Sequence, residues 1–269
     1  MTFLPSLVLA ACPKEVANEK PNEKPSSAPL GRTLNLSGQV FTIESQTGSA
    51  LPGFALPDIK YEQFSGNLGV SAGGISGTGE IKNGLLNITV PEPKAGDLTP
   101  FANTLQGLVY QGMASIIYGD INIKPADTKG ALLALEITGS ETHNSLAKTD
   151  FKISTTELLS KGTMTIISEM TSYLYVDRNT TVTATGKTTD MSGLLSLVTE
   201  IPVNSLNVTG SRINMSLNTG WNAVYIKTTA VLSIISGKVD VTIGVSAANP
   251  NSLKWTLDPL KVFEEFAGE

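Results

Sequence analysis

Cysteine and histidine are almost absent from this sequence: Cys12 and His143 are the single examples in 269 residues. One cysteine excludes an internal disulfide, and this pair cannot supply the three or four nitrogen and sulfur ligands that zinc requires. No apolar run reaches the about 20 residues of a membrane-spanning helix. Charged residues make up 16% of the chain and the net charge is −5, so no basic surface for nucleic acid is expected. The composition therefore predicts no zinc, no cofactor and no nucleic-acid partner, and it leaves calcium, which needs only oxygen ligands, as the open alternative among metals.

Threonine, serine, glycine and asparagine are abundant, whereas aromatic residues make up only 6% of the chain. Threonine is β-branched and suits the pleated surface of a strand. Glycine and asparagine favour the turns between strands. Low charge combined with many threonines is typical of β-rich proteins that work outside the cytoplasm.

The chain opens with a short apolar segment, Leu4–Ala11, which ends in two alanines directly before Cys12. Leu9-Ala10-Ala11-Cys12 resembles the lipobox of bacterial lipoproteins. The resemblance implies cleavage before Cys12, lipidation of its thiol, and membrane attachment by lipid at the cell envelope. Pro13 is not the aspartate that flags inner-membrane retention in enterobacteria, so we expect the outer membrane. Because Met1–Leu4 carries no basic residue, we expect the native leader to begin upstream.

The segment Pro13–Arg32 is rich in proline, lysine, glutamate and asparagine and contains the repeat NEKPNEKP. Such a composition buries too little apolar surface to fold and predicts a spacer between membrane and folded part. The predicted organisation is a signal peptide over 1–11, a flexible linker over 12–32, a small β unit over 33–92 and a larger β-rich unit over 97–269. Pro91–Gly96 separates the two units, which alternatively join into one domain.

Strands dominate the predicted secondary structure. Asn83-Gly84 between Glu80-Ile81 and Leu86–Val90 predicts a hairpin, because both turn residues tolerate positive φ. The glycine-dense segment Gly66–Gly79 predicts a loop or an irregular edge. Further strands are expected at Ser115–Ile123, Ala131–Thr138, Phe151–Ile153, Thr163–Asp177, Thr180–Gly186, Ser205–Leu217, Asn222–Ile235, Val239–Val245 and Leu253–Leu257.

Two short helices are expected among these strands. Thr99 and Pro100 form a start signal for a helix within Leu98–Gly112. Asp190 is placed to cap a second helix over Met191–Val198. The fold class is therefore mainly β, with one or more antiparallel sandwich or barrel-like units and two short helices.

One catalytic pattern is present. Gly69-Val70-Ser71-Ala72-Gly73 matches the Gly-x-Ser-x-Gly nucleophile elbow of hydrolases, and His143 follows it in the chain. The elbow requires a strand before the serine and a helix after it. Glycines and a hairpin follow Ser71 here, so we favour a glycine loop and assign no catalytic residue.

Acidic residues give no clear site. Asp120, Asp127, Asp177 and Asp190 lie near predicted turns but form no dense calcium-binding loop, so solvated turn residues are the favoured interpretation. Glu264-Glu265 is interpreted as part of a solvated face.

Trp221 and Trp255 are the two tryptophans of the chain and are weak candidates for ligand stacking. In a β framework with few aromatic residues, packing in the core is the favoured role for each. The ligand-binding residues therefore stay unknown at this point.

Four phrases stand out in the sequence: DTKGALLALEI (Asp127–Ile137), SYLYVDRNTTVTATG (Ser172–Gly186), NTGWNAVYIK (Asn218–Lys227) and NSLKWTLD (Asn251–Asp258). Together they resemble phrases of uncharacterised, β-rich cell-envelope lipoproteins of host-associated Gram-negative anaerobes. No functional residues carry over from that group. LSGQVFTI (Leu36–Ile43) also resembles the first strand of transthyretin-like or immunoglobulin-like sandwich modules.

The main functional hypothesis is a non-enzymatic, lipid-anchored envelope or surface protein that binds an envelope protein, a host molecule or a glycan. The first alternative is a carrier for a small apolar or lipidic ligand, with the helix Leu98–Gly112 as a lid. A pocket of several hundred Å3, roughly the size of a ligand site, would favour this alternative. The second and least favoured alternative is an esterase that uses Ser71.

Overall fold

The computed structural model describes residues 29–51, 54–108, 113–193 and 204–259. Cys12, most of the predicted linker and Glu264-Glu265 lie outside these residues, as does most of the predicted helix Met191–Val198. Within the described part, no helix combines the length and apolar character needed to cross a membrane.

The chain is mainly β, as the sequence predicts. The helices are α1 (Phe101–Leu108), α2 (Met113–Tyr118) and α3 (Leu158–Lys161). The strands are β1 (Leu34–Leu51), β2 (Phe54–Gln63), β3 (Leu68–Gly73), β4 (Thr78–Lys82), β5 (Leu85–Val90), β6 (Thr99–Pro100), β7 (Asn122–Lys124), β8 (Lys129–Leu132), β9 (Ala134–Thr138), β10 (Ser145–Ser154), β11 (Thr163–Val176), β12 (Thr180–Ala184), β13 (Thr188–Asp190), β14 (Ser205–Gly210), β15 (Ile213–Leu217), β16 (Gly220–Ser233), β17 (Lys238–Ser246) and β18 (Lys254–Leu257).

Part of the large sheet curves back on itself. From β10 the hydrogen-bonded path runs through β18, β1, β5, β4 and β3 to β9, and β9 pairs again with β10 through Ser145 and Leu146. Neighbours in this path are antiparallel except β18 and β1, which run parallel with Val40 opposite Trp255. The strands from both sides of Pro91–Gly96 thus lie in one sheet.

The same sheet extends from β10 in the other direction through β11, β16, β17, β14 and β13. Strands β11 and β16 pair along their whole length, from Thr163 opposite Ser233 to Val176 opposite Gly220. A second, three-stranded sheet consists of β15, β12 and β7. Alternate residues of a strand point to opposite faces, so β11 and β16 contribute to two separate cores.

The first core lies within the curved part of the sheet and includes Tyr173, Tyr175, Trp221 and Trp255. The second core lies between β11, β16 and β17 of the large sheet and the smaller sheet, and includes residues of α1 and α2. A third, small cluster around Leu158 lies at the far end of β11 and β16. Burial of these apolar side chains is the main stabilising contribution to the fold.

The predicted hairpin at Asn83-Gly84 is confirmed, since β4 and β5 pair around it with Lys82 opposite Leu85. The predicted loop over Gly66–Gly79 is wrong in part, because β3 pairs there with both β4 and β9. Its glycines allow close strand contact: a Cβ on Gly69 would lie 2.2 Å from the Thr138 hydroxyl oxygen.

The predicted strand over Ser115–Ile123 is wrong for most of its length, because α2 ends at Tyr118 and only Asn122 and Ile123 belong to a strand. Tyr118 is buried in the second core and donates its hydroxyl hydrogen to the Ile243 carbonyl oxygen at 2.8 Å. Tertiary packing therefore overrides the strand preference of the isoleucines in this segment.

Candidate functional site

Strands β10 and β11 pair from Ser154 opposite Thr165 to Lys148 opposite Thr171. Beyond Lys148 and Thr171 the two strands separate. Beyond this point β10 pairs with β9, and β11 pairs with β8. Leu133 joins β8 to β9 and donates its backbone N–H to the Tyr173 carbonyl oxygen at 3.0 Å. Paired strands lie about 4.8 Å apart, so strands that separate leave a gap that side chains must fill.

The gap is a cavity of about 330 Å3 between β9, β10, β11 and the end of α1. Its lining is mostly apolar. The apolar residues with large side chains around it are Leu108, Leu133, Leu135, Leu146, Met170 and Trp255.

Polar residues also line this cavity, among them Lys148, Thr171 and Tyr173. The Lys148 amine donates a hydrogen bond to the Asn249 side-chain oxygen at 3.0 Å, and burial lowers the pKa of Lys148. The Thr171 hydroxyl is buried and has no hydrogen-bond partner within the described part of the chain. Burial raises the pKa of the Tyr173 phenol. Buried hydroxyls and amines without full hydrogen bonding are costly.

Trp255 forms a wall of the cavity. Its indole stacks on the Tyr173 ring at a centroid distance of 6.2 Å and an interplanar angle of 20°. The indole N–H donates to the Ser37 carbonyl oxygen at 3.2 Å. Gly38 lies under the indole with a φ of +150°, and a Cβ there would come within 2.9 Å of the ring. Glycine at this position therefore allows β1 to hold Trp255 in place.

A second cavity of about 420 Å3 lies on the other side of Trp255. It is bounded by the first residues of β1 and by the loop 249–253 before β18. Its lining includes Asn35, Ser37, Gln39, Asn249, Asn251 and Lys254 and is more polar than that of the first cavity. We refer to the two as the apolar cavity and the polar cleft.

The two tryptophans have different places in the structure. Trp255 lines both the apolar cavity and the polar cleft. Trp221 is 0% exposed. Its backbone exchanges hydrogen bonds with Leu30 and Gly31, and its indole N–H donates to the Pro91 carbonyl oxygen at 3.4 Å. Trp221 thus packs in the core, and its backbone hydrogen bonds hold the segment before β1 against β16.

Ser71 lies inside β3, opposite Thr78 on one side and Glu136 on the other. No helix follows it directly, so the nucleophile-elbow geometry is not formed at this serine. His143 instead contacts Asp258, with 2.8 Å between its Nδ1 and the carboxylate oxygen. The structure does not bring the predicted serine and histidine together as hydrogen-bonded neighbours.

The acidic residues near turns bond to their own surroundings. Asp127 and Asp177 both pair with Arg178, at 2.7 Å and 3.0 Å. Asp190 accepts a hydrogen bond from the Ser192 backbone N–H at 2.9 Å. Among the described residues, no group of three or more histidine, cysteine, aspartate or glutamate side chains is arranged to hold a metal ion.

Sequence analysis missed Lys148, Thr171 and Tyr173. Each lies in an ordinary alternating strand, and only the separation of β10 from β11 makes the three residues neighbours of one cavity. Lys148 lies opposite Trp255 only because β10 pairs with β18. The sequence around either residue does not indicate this contact.

Comparison with protein-family models, with curated proteins and with solved structures finds no significant match to this chain.

Proposed function

We propose that this protein is a lipid-anchored protein of the cell envelope that binds a small, largely apolar ligand beside Trp255. The observation that supports the proposal is the apolar cavity of about 330 Å3. Ligand sites in proteins typically measure about 300–1,000 Å3 and combine apolar walls with a few polar groups. The apolar cavity has both properties.

Gly107 and Leu108 at the end of α1 form part of the cavity wall, which supports a role for this helix as a cover.

Binding is tested with the neutral fluorescent probe N-phenyl-1-naphthylamine, added to the full chain with Cys12→Ala. We expect saturable fluorescence enhancement in this protein. The variant Ala147→Phe, which fills the cavity, is expected to lose the enhancement. Ala102→Phe on the exposed side of α1 is the matched control and is expected to keep it. No enhancement in the protein, or equal enhancement in both variants, would contradict ligand binding in the cavity.

The lipid anchor is a separate part of the proposal and depends on Cys12. The intact mass of the N-terminal peptide from native membranes tests it. A diacylglyceryl-modified and acylated Cys12 is expected. An unmodified chain that keeps Met1 would remove the anchor and leave the ligand site unaffected.

A second candidate function is a scaffold that presents a protein-binding surface. Leu159 and Ile235 are 88% and 82% exposed and lie at the end of the sheet where the turn after β16 meets Gly162. A photo-crosslinker at position 235 in native membranes is expected to capture one defined partner, whereas the same group at exposed Lys82 should not. Equal labelling at both positions would contradict the scaffold.

A further inference from the structure

The apolar cavity and the polar cleft share three residues. Lys148, Tyr173 and Trp255 line both spaces, so the two lie on either side of one aromatic wall. Lys148 stands opposite Trp255 in β18 and opposite Thr171 in β11. Its side chain is therefore at the junction between an apolar space and a polar one.

The charge of Lys148 is not balanced by a neighbouring carboxylate. Within the described residues Lys148 forms no ion pair, whereas Lys152, Lys161 and Lys238 each pair with an acidic side chain. Burial is the one influence that shifts the pKa of Lys148, and it lowers that pKa. A partly buried ammonium without a counter-charge carries a desolvation cost that a bound anion would offset.

Hydrogen-bond capacity at this amine is also left over. An ammonium has three N–H donors. One of them is used by the neutral side-chain oxygen of Asn249. Within the described residues the other two make no hydrogen bond, which leaves them for the oxygens of a carboxylate or a phosphate.

We propose that the two spaces form one site for a single-chain anionic amphiphile, with its tail in the apolar cavity and its anionic group on Lys148. The remaining headgroup atoms lie in the polar cleft beside Asn249 and Asn251. The inference rests on the proposed ligand-binding function and adds the charge and orientation of the ligand. A fatty carboxylate and a lysophospholipid-type phosphate share this chemistry.

The test compares four ligands with the same ten-carbon tail, each below its micelle concentration. Decanoate, decyl phosphate, decanol and decyltrimethylammonium are titrated calorimetrically into the full chain with Cys12→Ala. We expect one or both anions to bind roughly tenfold more tightly than decanol, because a hydrogen bond to a charged group is worth more than a neutral one. We expect the cation to bind most weakly. Tighter binding of decanoate would indicate a fatty carboxylate as the ligand, and tighter binding of decyl phosphate would indicate a lysophospholipid-type phosphate.

Lys148→Met is expected to remove the preference for the anions and leave the affinity for decanol unchanged. Lys82→Met, at an exposed position of β4, changes the net charge by the same amount and should keep the preference. If Lys148→Met does not fold by circular dichroism, Lys148→Gln replaces it. The anion preference of the unaltered site should also weaken in high salt, because it is electrostatic.

The outcomes separate the two proposals. Equal binding of all four ligands would overturn the anionic site but support an apolar ligand. Anion preference that persists in Lys148→Met would place the headgroup elsewhere and overturn the inference. Binding of none of the four would contradict both the inference and the proposed function.

Discussion

Two glycines with nearly the same backbone conformation are expected to respond differently to alanine. Gly84 has a φ of +76° and Gly74 a φ of +71°. A Cβ on Gly74 would meet nothing within 4 Å, whereas a Cβ on Gly84 would lie 1.8 Å from the Phe64 carbonyl oxygen. Gly74→Ala therefore measures backbone strain alone, and Gly84→Ala measures strain together with a close contact.

The magnitudes follow from the contacts. A left-handed conformation costs a residue with a Cβ about 1–2 kcal/mol. At Gly84 the turn must also move away from Phe64. The Gly84 N–H donates to the Gly66 carbonyl oxygen at 3.1 Å, and its own carbonyl accepts from the Val40 N–H at 2.9 Å. Loss of two such bonds adds about 1–3 kcal/mol, so Gly84→Ala should cost about 2–5 kcal/mol in total.

Urea unfolding followed by circular dichroism measures both variants. We expect the free energy of unfolding to fall by about 1–2 kcal/mol for Gly74→Ala and to fall further for Gly84→Ala. Equal losses would show that the turn at Gly84 does not pack closely against Phe64. The placement of this hairpin against β1 would then be refuted.

Two further predictions concern a buried phenol and two buried hydroxyls. Burial raises the pKa of Tyr118 from 10.0 to about 12, so the folded state keeps a proton that the unfolded chain releases. The free energy of unfolding should therefore decrease as pH rises from about 10 to about 12. The decrease should be shallower in Tyr118→Phe, measured by urea unfolding at pH 9, 10 and 11; an unchanged slope would contradict the assignment. Thr149 and Thr171 both carry a buried hydroxyl without a partner in the described structure, so valine at either position should raise the unfolding free energy by about 1 kcal/mol. Urea unfolding followed by circular dichroism measures both variants, and a fall in the unfolding free energy of both would contradict the absence of partners for these hydroxyls.

Local features of the fold could be predicted from the sequence. Asn83-Gly84 forms the expected turn because its residues tolerate positive φ, with φ at 49° and 76°. The helix expected within Leu98–Gly112 is present as α1, which begins at Phe101, but Pro100 is not its first residue, because Thr99 and Pro100 form β6. The long strands β11 and β16 follow from runs of β-branched and aromatic residues within Thr163–Val176 and Gly220–Ser233.

Features that depend on distant residues could not be predicted. The parallel pairing of β14 with β17 and of β1 with β18 leaves no periodic signal in either partner. The segment at α2 was predicted as a strand because of its isoleucines. Its helix is fixed by the packing of Tyr118 against Gly210, where a Cβ would lie 2.8 Å from the ring.

Prediction of the candidate site was incomplete for the same reason. Trp221 and Trp255 are the two weak candidates, and both are buried, at 0% and 5% exposed, but of the two only Trp255 lines the apolar cavity and the polar cleft. The sequence does not distinguish the roles of the two tryptophans, because any tryptophan is able to pack in a core or stack on a ligand. Lys148 carried no signal, since its half-buried position results from strand separation and not from its neighbours in the chain.

The pairing of β1 with β18 has a consequence for the order of folding. Ser37 and Trp255 are in contact although they are 218 residues apart in the chain. Strands β1, β3, β4 and β5 are made early, but the edge of β1 that receives β18 stays open until nearly the whole described chain has been synthesised. Contacts over such a separation form slowly, and an open edge strand favours aggregation. A chaperone that protects this edge before β18 arrives would therefore be most useful while the protein is still incompletely made.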